Sequence, residues 1–419
     1  VFSFSKISLK QYHVENNNLI VEPFIKKKLT IVNLLHIVLK RRYYSIYETI
    51  STKSLSKNPI FPSKHNRFIE TLLSQPFPKS KKIYKWLKKL AIQLNINSSK
   101  ISRFFNYYKP CLVISTHPTS LDELEFLHFA KKSHVRTIGI IKSWDNLTTK
   151  GYIPIPLDHY IVWNQIMQDE MIRMHHVSKP HITISGVSQF DQYANKTSLL
   201  KRSDFFKQLG LDPNKKTVFY ATSPETIAYE DPDIIMKMAL ELLSNHEHPG
   251  QIIARLHPMD SILRYKELQN KKLANLVFQV PGESLGDDPN LKLLDPMFIS
   301  DLKNTLLFSD VTVNTCSSTT LDAVALDKPI INISFDLKER KFQKSVRRYY
   351  KFNHFQPIIE SGATKIASNF KEFMNFTYRY FEKPELQKLE RAQLREKMCY
   401  KLDGKSSERI ANTILEQIT

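Results

Sequence analysis

Arg255 and His257 precede Pro258 in "RLHP", and Ser317 and Ser318 stand side by side in "NTCSSTTLDAVALDKPIINIS", with Asp322 one helical turn later. Residues two apart on an extended strand project from the same face. Arg255 and His257 therefore offer a guanidinium and an imidazole together, and the proline stops the strand there. Ser317 and Ser318 lie where a strand, Val311–Asn314, gives way to a helix expected over about 318–326, and a second strand, Pro329–Ile333, follows. The first N–H groups of a helix have no intrahelical partner and attract anions. The two serines can cap that helix or grip a phosphate, and the turn alone leaves both readings standing. Asp322 is placed to accept hydrogen bonds from ribose hydroxyls. Ser223, in "ATSPE" after another strand, brings a further loop to the same edge. A diphosphate or phosphodiester fits this set.

Such residues need a parallel sheet to hold them. Strand-like runs occur at "CLVIST" (111–116), "RTIGIIKSW" (136–144), "HYIVWN" (159–164) and "HITISG" (181–186), with helical segments over 120–133 and 165–176. A helix and polar turn near 200–215 mark a domain boundary. A second series follows: "TVFYAT" (217–222), a helix over 232–245 with apolar residues at three- and four-residue spacing, "QIIARLHP" (251–258), "LVFQV" (276–280) and the helix "PMFISDLKNTLLFS". Two such series predict an α/β chain of two Rossmann-like domains, parallel sheets facing across a cleft, with ligands at the carboxyl edges of the strands.

Composition limits what these domains can do. The 419 residues are 42% hydrophobic, as in a globular protein. Three separated cysteines give no disulfide framework and no metal spacing, which suits a reducing cytosol. The longest apolar run, 29–39, is shorter than the roughly 20 residues that cross a bilayer. None of the nine glycines forms GxGxxG or GxxxxGK[ST], so the usual dinucleotide and P-loop cradles are excluded. "DPD", Asp231–Asp233, reads as a helix cap rather than a metal motif. No metal and no cofactor are expected. The chain opens at Val1 without a methionine and reads as a fragment lacking its first strand.

Charge is unevenly placed. Residues 1–110 hold 21 Lys+Arg against 4 Glu and no Asp, or +17; the whole chain is +20, which leaves 40 basic and 37 acidic residues, or +3, beyond them. A basic first quarter implies an anionic partner for that quarter. Within it, "KKIYKWLKKLAIQL" puts Trp86, Leu87, Leu90 and Leu94 on one helical stripe, with Lys81, Lys85, Lys88 and Lys89 largely elsewhere. Such a helix can lie on an anionic membrane surface or pack its stripe inward. Nucleic acid is not an expected partner, because no recognisable RNA- or DNA-binding signature accompanies the interleaved lysines and aromatics.

Arg-x-His-Pro, then a strand, then "LLFSDVTVNTCSSTTLDAVALDKPIINI" resembles the nucleotide-binding half of GT-B glycosyltransferases. The similar branch holds CDP-glycerol glycerophosphotransferases, bacterial sialyltransferases with His-Pro and Ser-Ser motifs, and UDP-N-acetylglucosamine 2-epimerases. The resemblance covers about 215–335, extends through "GVSQFDQY" (186–193), and reaches "LDGKSSERIANTILEQI", which is similar to a C-terminal helix that recrosses to the first domain. It implies a GT-B chain with an acceptor-side domain over 1–205, a donor domain over 206–390 and the recrossing helix in 391–419. It also implies that His257, Ser317 and Ser318 contact donor phosphates, near Arg255 and Ser223, and that Asp322 holds the ribose. The glycerophosphotransferases usually carry an Asp-Tyr-Ser-Ser turn where this chain reads "NTCSS".

In the resembling family the acceptor side and the catalytic base come from the first domain. "STHPTSLDE" offers His117, Asp122 and Glu123 there, and "KSWDNLTTKG" offers Asp145 and Asn146. A base must stand on a loop after a parallel strand to reach the acceptor hydroxyl. Asp145 beside Lys142 and Trp144 is one candidate, since a tryptophan can desolvate a carboxylate; its plain alternative is a turn residue paired with Thr148. His117 is the other. His175, His176 and His354 have no motif around them and read as structural. The expected function is metal-independent transfer of a sugar from a nucleotide sugar to a cell-surface glycan or lipid-linked acceptor. Polyol-phosphate transfer, or a basic membrane- or RNA-binding role on the same scaffold, are the alternatives. A cytoplasmic protein on the inner face of the membrane is the expected setting, through residues 1–110.

Overall fold

Short apolar runs bounded by polar turns become the strands of two sheets. The computed structural model describes residues 101–194, 200–284, 292–293 and 296–418, and ahead of them 2–3, 22–23, 35–36, 39–40, 43–44, 46, 51, 81–93 and 99–100. Val1, Leu94 and most of the apolar run 29–39 lie outside the described residues. The first sheet has the order β1 (Leu112–Ser115), β2 (Arg136–Ile140), β3 (His159–Val162), β4 (Ile182–Ile184), with β1–β2 and β2–β3 parallel. β2 stops at Ile140 rather than running on to Trp144 as expected. The chain turns there, the Asn146 N–H donating to the Ser143 carbonyl at 3.1 Å, and the Trp144 indole is buried in the turn.

The second sheet has six strands, β5 (Lys216–Ala221), β6 (Gly250–Arg255), β7 (Leu276–Gln279), β8 (Val311–Asn314), β9 (Ile330–Ile333) and β10 (Lys365–Ala367). Their spatial order is β10-β9-β8-β5-β6-β7, parallel throughout. The series reverses direction between β5 and β8, the place where open α/β sheets leave a crevice for ligands. β6, β8 and β9 are buried along their whole length, so even their polar residues Gln251, Thr312, Asn314 and Asn332 lie inside. Covering helices read with the 3.6-residue period. Asp231–Ser244 buries Ile234, Ile235, Met238, Ala239 and Leu242, and these join Val218, Tyr220, Ile252 and Val313 in the main core.

The chain divides into two compact units, 1–161 with 171–182 and 417–419, and 162–170 with 183–416. This division differs from the expected 1–205, 206–390 and 391–419. Residues 183–194 group with the second unit because their polar side chains are tied there. The Asp191 carboxylate accepts the first N–H groups of the helix Ser406–Glu416, from Ser406 at 2.9 Å and Ser407 at 2.7 Å. The Gln192 carbonyl accepts Lys303 Nζ at 2.6 Å, and the Tyr193 hydroxyl donates to Asp322 at 2.6 Å. Helix Lys388–Cys399 belongs to the same unit through Arg391, 1% exposed, which donates to Asp327 and to the Leu386 and Pro384 carbonyls.

In the first unit, helix α1 (Lys81–Gln93) turns a different face inward from the expected one. Tyr84 and Ala91 are buried with Leu87 against Leu39, Tyr43, Tyr152 and Met174, a stripe at i, i+3 and i+7. Trp86 is 62% exposed and Leu90 36% exposed. None of the described helices is long and apolar enough to cross a membrane.

Candidate active site

β6 delivers Arg255 and the loop beyond it delivers His257, but the two side chains part company. Arg255 is buried, donating to the Gln279 side chain at 3.3 Å and to the Phe298 carbonyl at 3.1 Å, with its guanidinium 4.9 Å from the Phe298 ring centre. Burial lowers its pKa to about 10. Its role within this unit is to tie the ends of β6 and β7 to the helix Pro296–Phe308, not to present a cation at the surface. His257 is half-buried beyond the strand end. Its N–H donates to the Thr222 hydroxyl at 3.0 Å, and its Nδ1 accepts the Met259 N–H at 3.1 Å. With Nδ1 as the acceptor, Nε2 is the ring nitrogen placed to carry a proton.

After β8 the chain turns sharply. Cys316 adopts a left-handed φ of 48°, its N–H donating to the Tyr350 hydroxyl at 3.2 Å. Asn314 Oδ1 accepts the Ser317 N–H at 3.1 Å, the Thr320 hydroxyl at 3.0 Å and the Asn332 amide at 3.0 Å, so a buried polar network holds the turn. The two serines then divide their tasks. Ser317 Oγ accepts the Thr319 N–H at 3.3 Å and shares a hydrogen with the Thr319 hydroxyl, which is the capping contact. Ser318 is exposed at the start of helix Thr319–Ala325 and makes no side-chain cap bond. Asp322 lies inside the unit, its carboxylate accepting the Tyr193 hydroxyl, and burial pushes its pKa up to about 6. Ser223 is buried after β5, its N–H donating to Asp231 at 2.8 Å. Asp231, expected as a cap, instead accepts Tyr220 and Ser223, and burial raises its pKa to about 6. Of the donor-side candidates, His257 and Ser318 face outward.

A cavity of about 240 Å3 opens at the crevice between β5 and β8, walled by Glu225–Asp231, Thr315 and Phe335, with Arg340, Lys344 and Arg348 around it. Arg340 pairs with Glu230 at 3.3 Å and lies over Tyr229. Residues 337–351 hold seven basic residues and one acid, a local excess averaged away in the near-neutral stretch beyond residue 110. A shorter charge window finds it.

In the first unit, His117 follows β1 and is half-buried. Its pKa is lowered by burial and by Lys142, Lys150 and Lys40, which outweigh Asp122. The shift favours the neutral imidazole, the form a general base needs. Glu123 accepts the Ser115 hydroxyl and the His117 N–H, and burial raises its pKa despite those bonds. Asp145 is engaged: Ser143 Oγ donates to one oxygen at 2.5 Å and Thr149 Oγ1 to the other at 2.8 Å. Thr148, its expected partner, bonds the Asp145 carbonyl instead. Asp122 is exposed and Asn146 buried. His175 packs inside the unit, its Nε2 on the Leu147 carbonyl at 3.0 Å. His176 is exposed with a left-handed φ of 59°.

Two α/β units, each with a parallel sheet and polar loops after its strands, make a Rossmann-like architecture. The sequence model of the CDP-glycerol:poly(glycerophosphate) glycerophosphotransferase family matches residues 121–416, and the chain belongs to that family. It is similar in structure to the UDP-GlcNAc 2-epimerase of Neisseria meningitidis bound to UDP-GlcNAc, at 14% identity over 96% of this chain and 93% of that one, with a TM-score of 0.48. The UDP-GlcNAc 2-epimerase of Methanocaldococcus jannaschii is 15% identical over 90% of this chain and 96% of its own, with a TM-score of 0.46. A variant of the wall teichoic acid polymerase TagF is 12% identical over 81% of this chain and 98% of that one, with a TM-score of 0.46. No curated protein matches the chain.

Proposed function

We propose that the chain transfers a polyol phosphate of the glycerol phosphate class from a CDP-activated donor to a hydroxyl of a growing surface polymer or its lipid-linked primer. The family match over 121–416 carries this reading and puts polyol-phosphate transfer ahead of sugar transfer. In the reaction the acceptor oxygen bonds to the phosphorus of the polyol phosphate, the bond from that phosphorus to CMP breaks, and the acceptor proton passes to a base. His117 is the base in this proposal. His257 Nε2–H and the Ser318 hydroxyl hydrogen-bond donor phosphate oxygens, which stabilises charge as CMP departs. Sugar transfer remains a second reading because "NTCSS" departs from the Asp-Tyr-Ser-Ser turn. Incubation with labelled CDP-glycerol and a glycerol-phosphate primer should release CMP and lengthen the primer. Turnover of a UDP- or GDP-sugar with none of CDP-glycerol would overturn the polyol reading and favour the sugar.

An anionic membrane surface is the proposed partner of α1. Outward-facing Trp86 and Leu90 stand one turn apart among Lys82, Lys85 and Lys89, the arrangement of an interfacial helix. The protein should co-sediment with anionic vesicles and come off as salt rises, because the attraction is screened within about 10 Å at 0.1 M. Trp86→Ala with Leu90→Ala should weaken the binding; unchanged sedimentation would remove α1 from that role.

A further inference from the structure

A second cavity, about 490 Å3, lies in the first unit between α1, the segment ahead of β3 and the end of helix Gln165–His175. It sits at the starting end of β3, lined by Leu157 and Asp158, whereas His117 and Asp145 follow the far ends of β1 and β2. Its floor is apolar and buried: Tyr84, Tyr152, Leu157 and Met174 are 2–7% exposed. Its cations come from α1. Lys85 and Lys89 are exposed, and Lys88 is half-buried with its ammonium 5.6 Å from the Tyr152 ring centre.

Lys88 has no hydrogen bond or ion pair among the described residues. The carboxylate in the wall, Asp158, is already held by Lys131 at 2.6 Å and by the N–H and hydroxyl of Thr137 at 2.9 and 2.8 Å. Burial lowers the Lys88 pKa to about 8, so the ammonium bears a desolvation cost that no acid among the described residues offsets. An anion would offset it. A bare anion would leave the tyrosine and methionine floor unused, and a purely apolar guest would leave Lys88 unpaired.

We propose that this cavity binds a phosphate ester carrying an apolar chain, with the phosphate at Lys88, flanked by Lys85 and Lys89, and the chain against Tyr84, Tyr152, Leu157 and Met174. The shared chemistry covers a bilayer lipid and a soluble phosphate ester alike, and it does not depend on the transfer reaction.

Dihexanoyl phosphatidic acid, soluble below its micelle concentration, should bind the full chain saturably and raise its unfolding temperature. Lys88→Met should weaken that binding about tenfold or more, the loss of a charge-assisted contact. Without ligand, Lys88→Met should unfold at the same temperature or higher, because an unpaired half-buried charge has gone. Lys207→Met, exposed in the second unit, should leave the affinity unchanged. Protection by inorganic phosphate or adenosine monophosphate equal to that by the ester would overturn the proposal. So would equal binding of dihexanoyl phosphatidylcholine in the unmodified protein, or unchanged affinity in Lys88→Met. Co-sedimentation with phosphatidic acid vesicles that the short ester competes away would support a bilayer source. Ester binding without co-sedimentation would support a soluble one.

Discussion

His117→Asn should cut turnover by about 10²–10⁴ while leaving donor affinity unchanged, the loss expected when a general base is removed. The neutral state of the ring comes from its surroundings: burial first, then three lysines, outweigh Asp122 and hold its pKa below the ordinary imidazole value. The sign for pH follows. A base is active when unprotonated, so the acid limb of kcat/KM should fall below the usual histidine range, and activity should persist to lower pH than an unperturbed imidazole would allow. Asp145→Asn is the contrasting variant. Both Asp145 oxygens already accept hydroxyls from Ser143 and Thr149, so asparagine should disturb the turn slightly and leave turnover within severalfold of normal. Normal turnover in His117→Asn beside an inactive Asp145→Asn would pass the role to the aspartate. Normal turnover in both would remove the base from these two loops.

On the donor side, His257→Ala and Ser318→Ala should each weaken nucleotide binding by about 1–3 kcal/mol, roughly 5- to 150-fold, as for a lost hydrogen bond to a charged phosphate. Ser317→Ala should behave differently. Its hydroxyl already accepts the Thr319 N–H, so its removal should cost about 0.5–2 kcal/mol of stability as a lost cap, whatever it does to the ligand. Titration calorimetry with CDP and thermal unfolding of the free proteins separate the two. Unchanged CDP affinity in Ser318→Ala together with a lower unfolding temperature in Ser317→Ala would leave the Ser-Ser turn with capping alone. Unchanged affinity in His257→Ala would remove Nε2–H from the donor site.

Much of the fold was legible because the buried parallel strands are short runs rich in β-branched and aromatic residues between polar turns. "QIIARLHP" and "TVFYAT" became β6 and β5 with ends within three residues and one residue of expectation, and the unit around Ser317 became strand, helix and strand in the expected order. β2 was over-read because apolar Ile141 and Trp144 continue its composition, although a turn through Ser143 ends the pairing. "GVSQFDQY" carries no local sign of the helix start that Asp191 caps, more than two hundred residues downstream, so its grouping with 183–416 is set by long-range contact.

The sequence by itself determined the α/β class, the strand order along the chain, the turn with two serines and the branch of related families, since these depend on local period and on motifs. Tertiary structure alone decided what each candidate side chain faces. The spacing of Arg255 and His257 predicts a shared face but not the Gln279 side chain and Phe298 carbonyl that take up the arginine. Asp322 reads as an open acceptor until Tyr193, 129 residues away, donates to it. Helical period permits α1 two apolar stripes, one through Tyr84 and Ala91 and one through Trp86 and Leu90. Only the packing of Leu39, Tyr43, Tyr152 and Met174 on the first selects which is buried, because burial is a property of the neighbours that long-range contacts supply.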